Sequence, residues 1–209
     1  KDSLLKLSNN KCSYCECRLQ VEAKYMEVEH FEDKKNNQNK VMLWDNLLPS
    51  CKRCNGAKGT HDVLIKPILN PFKDDPKDEF YFRLYKIKGK TRKGIETEDV
   101  ININDPEKAV KIRFDIGQAL EEAIDDCNEK LNLYLQNKST GRKNRLLNSF
   151  NKILKECQPD SDYSMTCATI LHSNLVYMEL KIELSKLGFW NNEFQKYHND
   201  SLSIIFQMK

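Results

Sequence analysis

No stretch of this chain approaches the roughly 20 consecutive apolar residues that a membrane-spanning helix needs, so a chain with no membrane association is expected. No signal-peptide pattern opens it, although it begins at Lys1 rather than Met, and a cytoplasmic location is expected. Charge of one sign is also scarce. Lys plus Arg number 34 against 31 Asp plus Glu, a net charge of +3. That excludes wrapping of nucleic acid by bulk charge and leaves only a local patch. No internal repeat is visible. Hydrophobic residues make up 39% of the 209 positions, and their periodicity persists nearly to the end, which excludes a wholly disordered chain.

What the chain does have is cysteine, eight in all. Four sit in two C-x-x-C pairs, Cys12/Cys15 and Cys51/Cys54; Cys17, Cys127, Cys157 and Cys167 are scattered. Pairs beside scattered cysteines, in a chain with no secretory features, point to a reducing compartment and a bound metal. Residues 1–106 hold 20 basic and 17 acidic residues, whereas 107–209 hold 14 of each. The positive excess therefore lies in the half that carries the Cys pairs.

Tyr25-Met-Glu-Val-Glu29 alternates and predicts a short strand ending at His30. Asp33–Lys40 is a polar loop. Pro67, Pro71 and Pro76 exclude a long helix across them. Phe80–Ile87 is rich in β-formers and Val100–Ile103 reads as a second strand, with Gly89–Gly94 as the turn of an antiparallel hairpin. Asn104-Asp-Pro106 opens a helix, and Val110, Phe114, Gly117, Leu120, Ile124, Cys127, Leu131 and Tyr134 line one face of it. A second helix carries Leu146 to Cys157. A third runs from Met165 to Leu187 and ends at Gly188. None of these helical faces gathers chemical groups, and His172 and His198 read as structural. The expected organisation is a Cys-pair domain over 1–70, a hairpin extension over 71–105 and, over 106–209, a helical bundle or a helical arm for docking a partner.

Zinc takes four soft ligands in a tetrahedron, and C-x-x-C on a tight turn offers two thiolates. Cys12, Cys15, Cys51 and Cys54 are thus expected to hold one structural Zn²⁺, with Cys17 as a competing ligand. The two pairs are separated by 35 residues, longer than a plain zinc ribbon, so something is inserted between them. On a helix, Cys51, Cys54, Asn55 and Lys58 fall on one face, and Gly59 suits its end.

The segments C-S-Y-C, V-E-H-F and W-D-N-L-L-P-S-C-K-R-C-N-G-A-K-G resemble the HNH endonucleases, whose catalytic unit is a ββα-metal finger. The resemblance covers roughly residues 10–61. It places His30, Asn46 and Asn55 at the three signature positions, an H-N-N variant, and implies that Asn46 orients the loop beside His30. It departs at Glu29, where the family usually has Asp. With the hairpin and helices read above, the expected fold is α+β: a zinc-stabilised ββα-metal finger, as the resemblance implies, plus a β-hairpin, followed by a mainly α-helical C-terminal region.

Phosphodiester hydrolysis needs an activated water and neutralised charge on the phosphate and leaving oxygen. Neutral His30 can take the proton from water. A hard ion, Mg²⁺ or Mn²⁺, prefers oxygen ligands, which Glu29 and Asn55 supply. Lys58 could hold a phosphate or stabilise the leaving group. His61 reads as a solvated loop histidine. Two basic runs, Lys86–Lys93 at the hairpin tip and Lys138–Arg145 at a helix break, could meet phosphates, although charge runs are commonly solvated faces.

The wider layout, with N-P-F-K-D-D-P, F-Y-F and I-N-I-N before a long helical tail, resembles the PtuB-type HNH proteins of Septu antiphage systems and their retron-linked relatives. That resemblance implies a bacterial defence effector acting on DNA in preference to RNA such as tRNA. It also implies a PtuA-like ABC-type ATPase partner, with retron RNA or DNA as a further companion. The alternative is a non-catalytic zinc module that docks nucleic acid or a partner protein.

Overall fold

A two-stranded hairpin and the helix that leaves it form the centre of the N-terminal part. In the computed structural model, which describes residues 1–21 and 25–209, a short helix α1 (Asp2–Leu7) precedes strand β1 (Met26–His30) and strand β2 (Leu47–Cys51). The strands are antiparallel, with Met26 opposite Cys51, Glu29 opposite Leu48 and His30 opposite Leu47. Helix α2 (Lys52–Lys58) starts directly at the end of β2 and packs on both strands. It stops at Gly59, whose φ of 50° lies in the left-handed region that glycine occupies without strain. Leu4, Leu5, Leu19, Met26 and Leu48 are buried in this part of the chain.

The chain divides into two compact units, Lys1–Lys111 with Lys209, and Ile112–Met208. The first includes a short helix α3 (Pro76–Glu79), strands β3 (Phe80–Arg83) and β4 (Lys86–Gly89), and helix α4 (Arg92–Ile101). The expected hairpin is present but shifted. β3 pairs with β4, not with Val100–Ile103, through a turn at Leu84 and Tyr85 with φ of 47° and 60°. Two positive φ values favour Asn-Gly at such a turn, so Leu-Tyr gave no signal. Residues 92–101 are helical because Thr91 caps the helix, its Oγ1 accepting from Gly94 N at 3.0 Å. The alternation at Val100–Ile103 has another origin: Ile101 and Ile103 are buried on either side of Asn102, which takes φ 49° at the helix end.

The basic run from Lys86 to Lys93 is therefore no hairpin tip. Lys88 pairs with Glu98, Lys93 lies 3.1 Å from Asp74 and 3.4 Å from Glu79, and Lys90 Nζ donates to the Lys77 carbonyl. Backbone here is tightly apposed. A Cβ at Gly94 would lie 2.2 Å from the Glu79 carbonyl oxygen, whereas one at Gly56, inside α2, would meet nothing within 4 Å. Gly94→Ala is expected to cost about 1–3 kcal/mol of stability. Gly56→Ala is expected to hold or raise it by about 0.5–1 kcal/mol. Melting temperatures of the two variants check this.

The second unit is helical: α5 (Lys111–Gln136), α6 (Thr140–Glu156), α7 (Ser164–Ser173), α8 (Leu175–Lys186) and α9 (Asn192–Leu202). On α5 the expected stripe from Gly117 through Tyr134 is buried, with Phe114 left exposed. The single helix expected over 165–187 breaks at Asn174, whose extended backbone and side chain, accepting from Tyr177 N at 3.0 Å, cap α8. Helix α9 was not anticipated; Asn191 caps it in the same way.

His172 and His198 lie in this core with ring centroids 4.8 Å apart. Lys181 Nζ donates to His198 Nε2 at 2.8 Å, so the His198 proton sits on Nδ1, 2.6 Å from the Tyr177 hydroxyl. Ser201 Oγ donates to the His198 carbonyl and accepts from His172 Nε2 at 2.8 Å. Burial, with His198 and Lys181 beside it, pushes His172 down to about 4. Below the ordinary value near 6.5 the unfolded chain then binds a proton that the folded chain refuses. Stability should thus be full above pH 6.5 and fall as pH drops from 6.5 toward 4. Discounted for partial solvent screening, the loss by pH 5 is about 1 kcal/mol. Melting at pH 7.5 and pH 5 measures it, and His172→Asn should flatten the difference.

Candidate active site and thiolate centre

The two C-x-x-C pairs meet. Their four Sγ atoms all lie within 4.8 Å of one another, and the Cys15 and Cys51 sulfurs are 3.8 Å apart. Tetrahedral zinc with Zn–S bonds of about 2.3 Å has sulfur–sulfur edges of about 3.8 Å, so the donor set fits that ion. The first pair sits on a turn closed by Cys12 N donating to the Cys17 carbonyl and Glu16 N to the Cys12 carbonyl, both 2.9 Å, with Glu16 at φ 59°. Ser13 N donates to the Pro49 carbonyl and ties this turn to β2. The second pair straddles the strand-to-helix junction, Cys51 ending β2 and Cys54 lying in α2. Cys17 is buried nearby but outside the four-sulfur set.

Four thiols this close cannot behave alike. Hydrogen bonds from Cys12 and Cys15 hold Cys51 below the ordinary thiol range, and Cys54 is pushed above it by the same neighbours. A cation among them removes that conflict. Arg53 adds positive charge at the rim, its guanidinium donating to Cys54 Sγ at 3.3 Å and to the Asn102 carbonyl at 3.2 Å.

Beside this centre, β1, α2 and the loop between the strands bring the expected signature residues together. His30 is half-buried, and its Nε2 lies 3.1 Å from the Val41 carbonyl oxygen. A carbonyl only accepts, so Nε2 carries the proton and Nδ1 keeps a free lone pair. Burial lowers the imidazole below its usual 6.5; the Val41 carbonyl raises it without cancelling the effect, and Lys34 and Lys58 lower it further. Neutral imidazole is therefore the form present at neutral pH.

Asn46 is buried and fastens the loop that supplies Val41. Its Oδ1 accepts from Glu32 N at 2.7 Å, while Nδ2 donates to the carbonyls of Glu32 at 3.0 Å and Lys40 at 3.2 Å. Phe31 N donates to the Asn46 carbonyl and closes the same loop.

Two of the expected residues face one another. Lys58, expected at a phosphate, has a side chain that is 0% exposed, 2.6 Å from Glu29 Oε1, and it donates to the His30 carbonyl at 2.9 Å. Glu29, expected at a metal, is 3% exposed and held by that ammonium. Burial pushes the Glu29 carboxyl up, and Lys58 pulls it back only in part. The carboxylate that Asn55 touches is Glu27: Asn55 Nδ2 donates to Glu27 Oε2 at 2.6 Å. Sequence reasoning passed over Glu27, although its place two residues before Glu29 on an alternating strand puts both on one face. His61 stands apart, its Nε2 2.7 Å from the Lys66 carbonyl.

The site coincides with the segment matched by the HNH endonuclease family model, residues 12–61. Septu protein PtuB of Bacillus thuringiensis is 46% identical over 198 residues, covering 94% of this chain and 77% of the relative. Septu protein PtuB of Bacillus mycoides (strain KBAB4) is 32% identical over 116 residues, 40% of this chain and 38% of that relative. No solved structure matches significantly. Among the described residues no helix is long and apolar enough to cross a membrane. A paired-cysteine centre next to an H-N-N signature, and near-complete coverage by a close relative, together place this chain in the Septu PtuB family of HNH endonuclease-domain proteins.

Proposed function

We propose that the chain hydrolyses phosphodiester bonds of nucleic acid, DNA in preference to RNA, as the nuclease of a bacterial antiphage complex with a PtuA-like ABC-type ATPase in the cytoplasm. The observation that carries the reading is the His30 ring, held by the Val41 carbonyl with Nδ1 free. His30 Nδ1 takes the proton of the attacking water. Asn46 holds the Val41 loop and thereby fixes ring orientation and tautomer. Lys58 fixes the same residue from its backbone side, through the His30 carbonyl. Zn²⁺ occupies the four thiolates and is structural, because four protein ligands leave no open position. Glu29 and Asn55 would hold a hard divalent ion, Mg²⁺ or Mn²⁺, which would supply charge neutralisation at the phosphate.

Since protonated His30 cannot act as base, cleavage should be level above about pH 6.5 and fall below it, the limb lying lower than for an ordinary histidine. The test is incubation of the purified chain, alone and with the ATPase, with duplex DNA, single-stranded DNA and tRNA in Mg²⁺ or Mn²⁺. Cleavage of DNA is expected. Binding of these substrates without cleavage of any, with or without the ATPase, would make the chain a docking module built on zinc.

A further inference from the structure

We infer that one exposed face of α6 binds the phosphate backbone of nucleic acid, a role that rests on the nuclease reading and adds a substrate-holding surface to it. The face carries Arg145, Lys152 and Lys155, with Asn144 and Asn148 beside them.

The even charge of the C-terminal half hides a segregated surface. The unit Ile112–Met208 holds 11 basic and 13 acidic residues. Five of those basic residues, Arg142, Lys143, Arg145, Lys152 and Lys155, lie on α6 against one acid, Glu156, at its last position. Two of the five serve the fold. Arg142 donates to the Leu133 carbonyl, and Lys143 Nζ sits 4.3 Å from the centre of the Phe189 ring. The other three are exposed, and among the described residues none has an ion-pair partner. Lys155 alone has a further neighbour, the Tyr197 ring, 5.9 Å away. Elsewhere in the unit Lys130, Lys186 and Lys196 pair with Asp126, Glu183 and Asp200.

Helix geometry puts the free groups in line. Asn144, Arg145, Asn148, Lys152 and Lys155 fall within an arc of about 100° around the axis, opposite the buried Leu146, Phe150, Ile153 and Leu154. Arg145 and Lys155 stand about 15 Å apart along the helix, the span of roughly four phosphates of one DNA strand. The Asn144 and Asn148 side chains make no hydrogen bond among the described residues, so their amides are free to donate to phosphate oxygens. The arc holds no apolar side chain, the anchor that a protein interface needs at its centre. Nothing inside the chain offsets what this face costs the helix. Lys152 and Lys155 repel one another at i and i+3. Arg142, Lys143 and Arg145 crowd the positive end of the helix, whose first turn has no acid. A polyanion relieves both conflicts.

Binding of duplex DNA by the full-length, zinc-loaded chain, with no Mg²⁺ or Mn²⁺ added, tests this by fluorescence anisotropy over a range of salt. The triple variant Arg145→Gln, Lys152→Gln, Lys155→Gln should raise the Kd roughly tenfold or more and make the slope of log K against log salt shallower by about 2–3. Its melting temperature should hold or rise, because the repulsion on α6 is gone. The matched variant Lys130→Gln, Lys186→Gln, Lys196→Gln removes as much charge from the same unit and should keep the Kd within about threefold of the parent. With Mg²⁺ or Mn²⁺ present, the α6 variant should reach the parent's maximal cleavage rate but need roughly tenfold more DNA to do so. An unchanged Kd and salt slope in the α6 variant, or an equal loss in the matched variant, would overturn the assignment. So would absence of DNA binding by the parent, alone and with the ATPase, or loss of ATPase binding by the α6 variant with its DNA affinity intact. If the binding pattern holds but no nucleic acid is cut, the nuclease reading fails while the binding face stands.

Discussion

Cys51→Ser is expected to empty the thiolate centre and unfold the finger. The four sulfurs lie within 4.8 Å, and three of the four residues are buried. Ser supplies a poor fourth ligand, so the site is left with three thiolates and nothing to share their charge. Structural zinc contributes on the order of 10 kcal/mol in small domains, more than a domain's net stability can usually spare. The loss should spread beyond the metal, because Cys51 both ends β2 and starts α2. Removing it loosens the junction that sets Asn55 and Lys58 against β1. Zinc content and the melting curve of the variant check this; one zinc per chain with a parent-like melting temperature would show that the thiolates do not hold the fold.

His30→Ala should do the opposite: zinc and melting temperature stay, and cleavage falls about 10²- to 10⁴-fold, the usual scale for losing a general base. Among the described residues the ring makes one hydrogen bond, to the Val41 carbonyl, and it is only half-buried, so little packing is lost. The Lys58 bond to this residue survives because it goes to the main chain. His30→Gln should not rescue the rate: an amide N–H can satisfy the Val41 carbonyl, but an amide cannot accept a proton near neutral pH. Cleavage measured on His30→Ala at the parent rate would remove this residue from the chemistry.

Much of the site was legible because its signals are local and chemically unusual. Two C-x-x-C pairs have few uses other than metal binding, and the strand ending at His30 showed in the alternation of Tyr25 to Glu29. The contacts of the charged residues were not legible, since partners across the fold decide them. Lys58 reads as a surface lysine until β1 is laid beside α2 and Glu29 comes within 2.6 Å. Glu27 gained significance only from its contact with Asn55, 28 residues away. The shifted hairpin has a similar cause. A Leu-Tyr turn with two positive φ values carries no turn signature, and tertiary packing around Gly89 and Gly94 outweighed local propensity. In the helical unit the long stripe of α5 was visible, whereas the break at Asn174 depended on one capping side chain.

The most direct test is the metal dependence of cleavage with zinc counted on the same sample. The full-length chain, stripped of loosely held ions by a chelator too weak to empty four thiolates, should retain one zinc per chain and cut no nucleic acid. Added Mg²⁺ or Mn²⁺ should restore cleavage without changing the zinc count. Full cleavage by the stripped chain, or none after either ion is added while zinc and fold remain intact, would contradict the assignment of a structural thiolate centre beside a separate hydrolytic site.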